Sequence, residues 1–134
     1  MTFILEDDET RRRAFRSAMP SALCANNVLT WIEYMERVRR LELFRLALYL
    51  DHDLTEAHYN EPDKCRDGLG FITCGCMAAW YLRLWREYFA GDTKIIIHSG
   101  NETAREWMRK ALSDAGYNVT VTPYWKLKEG WDKL

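Results

Sequence analysis

The sequence predicts an α/β domain in which a parallel sheet is covered by helices on both faces. Short apolar stretches alternate five times with segments of helical periodicity, which is typical of this class. Three of these stretches end abruptly in acidic residues or histidine, as buried parallel strands do at a functional edge. With 134 residues and 48% apolar content, the chain is expected to form a single domain, residues 1–134, with its own core.

The strands and helices are placed by apolar runs and by local start and stop signals. In chain order we expect strands over residues 3–6, 22–25, 43–50, 94–98 and 117–122. Helices are expected over residues 10–19, from 26 or 27 onward, and over 71–89, 102–115 and 125–134. Pro20, Gly116 and Pro123 end elements, and Asn101 is a typical N-cap. The long loop after residue 51 is of a length that tends to be functional.

Composition excludes several classes of function. The net charge of -1 gives no general attraction to nucleic acid, so a protein that coats nucleic acid is not expected. The four cysteines show no disulfide framework of a small secreted domain and are interpreted as reduced thiols. No stretch reaches membrane-spanning length and no leader pattern begins the chain, so we expect a cytoplasmic protein without membrane contact. Formation of a homo-oligomer stays open.

Five carboxylates are expected at one edge of the sheet. They are Glu6, Asp7, Asp8, Asp51 and Asp53, which follow the first and third strands. Because such a group repels itself, the sequence predicts a bound cation, and oxygen ligands favour Mg²⁺ or Mn²⁺, with Ca²⁺ as a further choice. In the alternative interpretation, Asp7 or Asp8 only caps a helix and Asp53 points to solvent.

Two histidines, His52 and His98, fall at the ends of the third and fourth strands. Imidazole moves protons near neutral pH, so a facing pair is suited to act as general base and general acid on a phosphodiester. We therefore predict His52, His98 and Asp51 as the catalytic residues. Either histidine is also suited to ligate a transition metal.

Four further residues are candidates for binding a substrate phosphate. Ser99 and Asn101 stand at the start of a helix, where N–H groups and a hydroxyl suit phosphate oxygens, although Asn101 is equally explained as a cap. Arg11 or Arg12 lies near the acidic strand end and is suited to hold a phosphate. A zinc site is not assigned, because the spacing of the candidate ligands matches no common motif. Those ligands would be His58, Cys65, Cys74 and Cys76.

With these residues placed, the chain resembles the receiver domains of two-component response regulators. The matching features are Asp7-Asp8 after the first strand, Asp51 at the phosphoacceptor position, the Asp67-Gly68 turn, and Ser99 at the hydroxyl position. The resemblance implies a three-layer, flavodoxin-like fold whose five-stranded parallel sheet has the order 2-1-3-4-5. Receivers carry a lysine before the proline that ends the fifth strand. Here Thr122 precedes Pro123, with Lys126 nearby, which argues against phosphoacceptor switching.

A closer resemblance is to the cyclic-phosphate processing receivers, a derived family whose name reflects a predicted action on cyclic phosphates. Three strand ends carry it: Ile4-Leu5-Glu6-Asp7-Asp8, Leu50-Asp51-His52-Asp53-Leu54 and Ile96-Ile97-His98-Ser99-Gly100-Asn101. We therefore expect a metal-dependent phosphoesterase that acts on a cyclic nucleotide signal or on the 2',3'-cyclic phosphate of an RNA end. The settings considered are phage–bacterial immune conflict and RNA repair. The alternative is a non-catalytic module that sequesters a nucleotide or docks a protein partner.

Overall fold

The computed structural model describes residues 1–43, 45–52 and 74–133, which form a single five-stranded parallel sheet flanked by helices. The strands are β1 (Thr2–Leu5), β2 (Leu23–Ala25), β3 (Leu46–Leu50), β4 (Thr93–Ile97) and β5 (Asn118–Val121). They are ordered β2-β1-β3-β4-β5 across the sheet, and every neighbouring pair is parallel. The predicted fold class and strand order are confirmed.

Six α-helices lie in the described part of the chain. They are α1 (Glu9–Ala18), α2 (Val28–Arg40), α3 (Gly75–Leu84), α4 (Arg86–Phe89), α5 (Glu102–Asp114) and α6 (Tyr124–Asp132). The side chains of Asp8, Asn27 and Asn101 cap α1, α2 and α5, each accepting a hydrogen bond from an N–H of the first turn. In the described residues, none of the helices combines the length and the apolar character that crossing a membrane requires.

The helices form a layer on each face of the sheet. On one face, Phe15 of α1 is fully buried between Tyr49 of β3, with ring centroids 5.6 Å apart, and Trp131 of α6, at 4.9 Å. On the other face α3 packs between α2 and α5, and Trp31 meets Tyr81 edge-on at 6.2 Å. The central strands are apolar on both sides because both faces are covered. This burial leaves the ends of the strands as the place for polar chemistry.

Most elements match the expected bounds within one or two residues, and two elements differ by more. The third strand begins at Leu46 instead of residue 43, because Arg45 has a φ of 60°, which a strand residue does not adopt. The helix expected over residues 71–89 ends at Leu84 and resumes at Arg86 as α4. Trp85, at the break, stacks under the guanidinium of Arg39 at 4.2 Å, a tertiary contact that helical periodicity does not report. Residues 71–73 and most of the expected long loop lie outside the described residues.

Candidate functional site

A row of three polar side chains stands at the carboxyl edge of the sheet. Leu5, Leu50 and Ile97 are register partners across β1, β3 and β4. The residues that follow them are Glu6, Asp51 and His98. The N–H of Asp51 donates to the carbonyl of Leu5 at 3.1 Å, and the N–H of His98 donates to that of Leu50 at 3.0 Å. Main-chain hydrogen bonds therefore hold the three residues side by side.

These three residues, called here the acid–histidine cluster (Glu6, Asp51 and His98), are buried and close together. One ligand atom of each lies within 4.8 Å of the others. Their exposed fractions are 0%, 2% and 1%. Nε2 of His98 is 3.3 Å from Oε1 of Glu6, and the imidazole packs against Phe15 with ring centroids 5.1 Å apart. Packing on one side and the sheet on the other fix the orientation of the histidine ring.

Burial and crowding shift the pKa values of the acids at this edge. Burial acts to raise the pKa of Glu6, but the interactions with His98 and Asp51 lower it to about 2. Burial, together with the charge of Glu6, raises the pKa of Asp51 well above its ordinary range. The same two causes raise the pKa of Asp7 to about 6. The edge therefore favours an added positive charge, either a proton or a cation.

Several polar atoms of the acid–histidine cluster have no hydrogen-bond partner among the described residues. They are Oε1 of Glu6, Oδ2 of Asp51 and both ring nitrogens of His98. A buried polar atom without a partner costs about 1–3 kcal/mol, so each of these atoms favours a ligand that it can bind. Two carboxylates and an imidazole are a donor set that a divalent cation such as Mn²⁺ accepts. The three side chains thus fit the predicted cation.

The other acids of the predicted set are placed differently. Oδ1 of Asp8 accepts the N–H of Arg11 at 2.9 Å, so this carboxylate caps α1. Asp7 follows Glu6, whose charge helps to raise the pKa of Asp7, and Oδ1 of Asp7 is buried without a hydrogen-bond partner among residues 1–43, 45–52 and 74–133. Asp53 lies outside the described residues. The structure therefore groups Glu6 and Asp51 with His98 and gives Asp8 a capping role.

The two predicted arginines face the site in different ways. Arg12 donates to the main-chain carbonyls of Glu6, at 3.1 Å, and Asp7, and so holds the turn that carries the acids. Arg11 reaches the cluster itself, because its Nη1 lies 3.7 Å from Oε1 of Glu6. Its guanidinium also lies over the ring of Tyr124 at 5.2 Å, and 36% of its side chain is exposed. Arg11 is therefore a cation at the rim of the cluster.

Ser99 and Asn101 follow His98 at the start of α5. Ser99 is buried and its Oγ accepts the N–H of Asn101 at 3.1 Å. Oδ1 of Asn101 accepts the N–H of Ala104 at 3.1 Å, so this side chain is the N-cap of α5. A hydroxyl that accepts a hydrogen bond retains its own proton to donate. The hydroxyl of Ser99 therefore has a proton that it can donate to a substrate oxygen.

His52 lies in a second group, the thiol–histidine cluster (His52, Cys74 and Cys76). Nε2 of His52 is 3.1 Å from Sγ of Cys76, and one ligand atom of each of the three residues lies within 4.8 Å of the others. The N–H of Gly75 donates to the carbonyl of His52 at 2.9 Å. The start of α3 is thereby fastened to the end of β3.

Sequence reasoning missed this second cluster. His58 and Cys65, which entered the rejected zinc interpretation, lie outside the described residues. Hydrogen bonding with Cys76 lowers the pKa of Cys74 to about 4, against burial, which raises it, and His52 adds to the lowering. The available signal was the glycine between two cysteines, since glycine permits a close approach of main chains.

Comparison with known proteins identifies the family. A family model for the cyclic-phosphate processing receiver domain matches residues 1–114, which include all of both clusters. The chain belongs to this family. No curated protein and no solved structure matches the chain. The predicted membership is confirmed.

One departure of this cyclic-phosphate processing receiver domain from ordinary receivers is visible at the end of β5. The N–H of Thr122 donates to the carbonyl of Ile97 at 3.0 Å, so Thr122 continues the row beyond His98. Receivers that accept a phosphoryl group have a lysine at this place, before the proline. Lys126 lies in α6. The row at this edge therefore has the threonine Thr122 where a receiver has a lysine.

Proposed function

We propose that this domain is a divalent-metal-dependent phosphoesterase that opens a cyclic phosphate by hydrolysis. The oxygen of a water attacks phosphorus, one phosphorus–oxygen ester bond breaks, and the leaving oxygen takes a proton. The product is a linear phosphate ester with a new hydroxyl group. Cyclic nucleotide signals and RNA ends with a 2',3'-cyclic phosphate are the two substrate classes. The first belongs to immune conflict between phages and bacteria, the second to RNA repair.

The observation that carries this proposal is the set of buried oxygen and nitrogen atoms in the acid–histidine cluster that have no hydrogen-bond partner among the described residues. Three adjacent strands each contribute one of these side chains, at matched register and within 4.8 Å of one another. Such a group is costly unless it binds something, because the charges repel and the lone pairs are unsatisfied. Passive recognition of an anion would instead call for a cluster of N–H donors.

The residues have distinct tasks in this proposal. Glu6, Asp51 and His98 would hold the cation. When bound, Mg²⁺ or Mn²⁺ polarises the phosphoryl oxygens and lowers the pKa of an attacking water. Arg11 pairs with a phosphate oxygen from the rim, and the hydroxyl of Ser99 donates to the charge that accumulates during attack. The exposed fraction of Arg11, 36%, leaves its guanidinium accessible to a ligand from solvent.

In this proposal the proton that the attacking water loses passes through solvent to the leaving oxygen, and not through a facing pair of histidines. His52 lies with the thiols of Cys74 and Cys76, so this proposal gives it no part in the reaction. Asp51 has a raised pKa, so it carries a proton when no cation is present and releases it when one binds. His98 serves as the nitrogen ligand, with its ring already fixed by Phe15.

The test is incubation of the purified protein with 2',3'-cyclic mononucleotides, 3',5'-cyclic mononucleotides and cyclic oligonucleotides. Each is incubated with Mn²⁺, Mg²⁺ or EDTA, and the products are separated by chromatography. We expect a linear product that requires metal and is lost in Asp51→Asn and His98→Gln. Asp92→Asn is the matched control, because this exposed carboxylate precedes β4, at the opposite edge of the sheet.

Two results would overturn the proposal. Hydrolysis that persists in EDTA and in Asp51→Asn would place the chemistry elsewhere. Intact nucleotide throughout, retained by the protein and released on denaturation, would replace the enzyme with a sequestering module. Titration of Mn²⁺ into wild type and His98→Gln separates the roles of His98, since loss of a ligand weakens metal binding whereas loss of a proton donor slows turnover alone.

A further inference from the structure

The thiol–histidine cluster is the feature that the proposed phosphoesterase reaction does not use. Its three side chains come from two places in the chain, the end of β3 and the start of α3. His52 and Cys74 are fully buried and Cys76 is 1% exposed. Two sulfurs and an imidazole nitrogen within 4.8 Å of one another are a donor set found in metal sites of proteins.

We propose that His52, Cys74 and Cys76 form a second metal site, which binds a thiophilic divalent cation of the zinc class. In a tetrahedral zinc site, bonds of about 2.0–2.3 Å separate neighbouring ligand atoms by about 3.5–3.8 Å. The distance of 3.1 Å between Nε2 of His52 and Sγ of Cys76 is shorter than that separation, so the two side chains need to part by about 0.4 Å to take a metal ion between them. A fourth ligand, from the chain or from solvent, completes the tetrahedron.

The main chain around the cluster is built to keep these donors in place. Gly75 separates the two cysteines, and a Cβ there would lie 2.2 Å from the carbonyl oxygen of Asp51 and 2.7 Å from Cα of His52. Only glycine permits this approach. The hydrogen bond from the Gly75 N–H to the carbonyl of His52, at 2.9 Å, then fixes the helix start against the histidine. Metal ligands need such support from their surroundings.

Burial and ligand chemistry favour a metal over a reactive thiol. A nucleophilic cysteine must be reached by its substrate, whereas both cysteines here are 0–1% exposed. Thiolate and imidazole ligands select zinc-class cations, while the oxygen-rich acid–histidine cluster suits Mg²⁺ or Mn²⁺. The two clusters would therefore bind different metals from the same solution.

The experiment loads metal-free, reduced, full-length protein with Co²⁺ as a spectroscopic substitute for Zn²⁺. We expect thiolate-to-cobalt charge-transfer bands that Zn²⁺ abolishes by displacement. Cys74→Ser, Cys76→Ser and His52→Gln should each weaken Zn²⁺ binding by at least about tenfold, since even loss of an outer partner of a ligand costs that much. Cys24→Ser is the control, because this half-buried thiol lies on β2, two strands away from β3.

A measurement on the wild type keeps the test valid if a variant fails to fold. Zinc-edge X-ray absorption of the Zn²⁺-loaded wild type should show two sulfur ligands at about 2.3 Å and an imidazole nitrogen at about 2.0–2.1 Å. A zinc shell without sulfur, or cobalt bands that lack a thiolate contribution, would overturn the proposal. The phosphoesterase proposal is tested separately, since Glu6→Gln should leave the cobalt bands unchanged.

Discussion

The acid–histidine cluster and the thiol–histidine cluster each take one residue from the end of β3, and these two residues are neighbours in the chain. The clusters nevertheless differ in how they are assembled and in their chemistry. Asp51 belongs to the first cluster and His52 to the second. Sheet register assembles the first cluster, because three parallel strands end at the same level. The second depends on a helix start that packs against the main chain through a glycine.

The two clusters also differ in the hardness of their ligand atoms. The first offers carboxylate oxygens and one imidazole, the second two sulfurs and one imidazole. Hard cations prefer the former and zinc-class cations the latter. A domain of this size can therefore hold two sites that do not compete for the same ion. Four experiments sharpen or break this contrast.

The largest effect is expected for Gly75→Ala, which should damage both clusters together. The new Cβ meets the carbonyl oxygen of Asp51 at 2.2 Å, and main chain cannot move aside as a side chain does. We expect a loss of about 3 kcal/mol in the free energy of unfolding, measured by urea denaturation. Gly130→Ala is the control, since nothing lies within 4 Å of its Cβ and helix propensity favours alanine. Equal stability of the two variants would refute the close packing.

Glu6→Gln should affect the first cluster alone. It removes the charge of a fully buried ligand whose pKa is about 2, while the shape of the side chain is retained. We expect phosphoesterase activity to fall by about 100-fold, or about 2.7 kcal/mol in transition-state stabilisation. Initial rates at saturating Mn²⁺ measure this loss. Zn²⁺ affinity should stay as in wild type, and a parallel loss of both would mean that the clusters are not independent.

Binding of Mn²⁺ to the first cluster should tighten as pH rises. Asp7 has a pKa of about 6 and that of Asp51 is raised, so protons compete with the cation at acidic pH and leave as pH rises. One competing proton predicts about a tenfold gain in affinity between about pH 5 and 7. Isothermal titration calorimetry measures it, with Asp7→Asn expected to remove the part centred near pH 6. A flat profile in the wild type would contradict this account.

The smallest effect on stability is expected for substitutions of Asp8. They test whether this residue at the end of β1 is a helix cap or a metal ligand. Asp8→Ala should cost about 1 kcal/mol of stability through loss of the bond to the N–H of Arg11, whereas Asp8→Asn keeps a capping oxygen and should be nearly neutral. Thermal melting of the two variants gives the comparison. Mn²⁺ affinity should change little in both, and a large loss in Asp8→Asn would make Asp8 a ligand after all.

Much of the fold was predictable from sequence because local and global signals agree. The apolar runs that form β1, β3 and β4 are buried or half-buried on both faces, and Asn101 caps α5 as expected. The break at Trp85 was not predictable, since it accompanies a stacking contact with Arg39, far away in sequence. The start of β3 was also missed, because the positive φ of Arg45 leaves no mark in composition.

The two clusters differ in the same respect. Glu6, Asp51 and His98 each follow an apolar run, so parallel strands bring them together by rule, and their proximity could be predicted. The contact between His52 and Cys76 joins residues 24 positions apart through the packing of α3, which no spacing rule describes. A facing pair of histidines was expected because His52 and His98 both follow strands. In the structure Asp51 lies with His98, whereas its neighbour His52 lies with the two cysteines.

The contact between Phe15 and Trp131 has a practical consequence for anyone shortening this chain. The family match ends at residue 114, whereas Trp131 of α6 packs on Phe15, the ring that supports His98. A truncated fragment cut at the family boundary would lose β5 and α6 and uncover Phe15, the ring against which that imidazole packs. Recombinant versions intended for metal or substrate assays should therefore retain the C-terminal helix, even though sequence similarity alone marks it as dispensable.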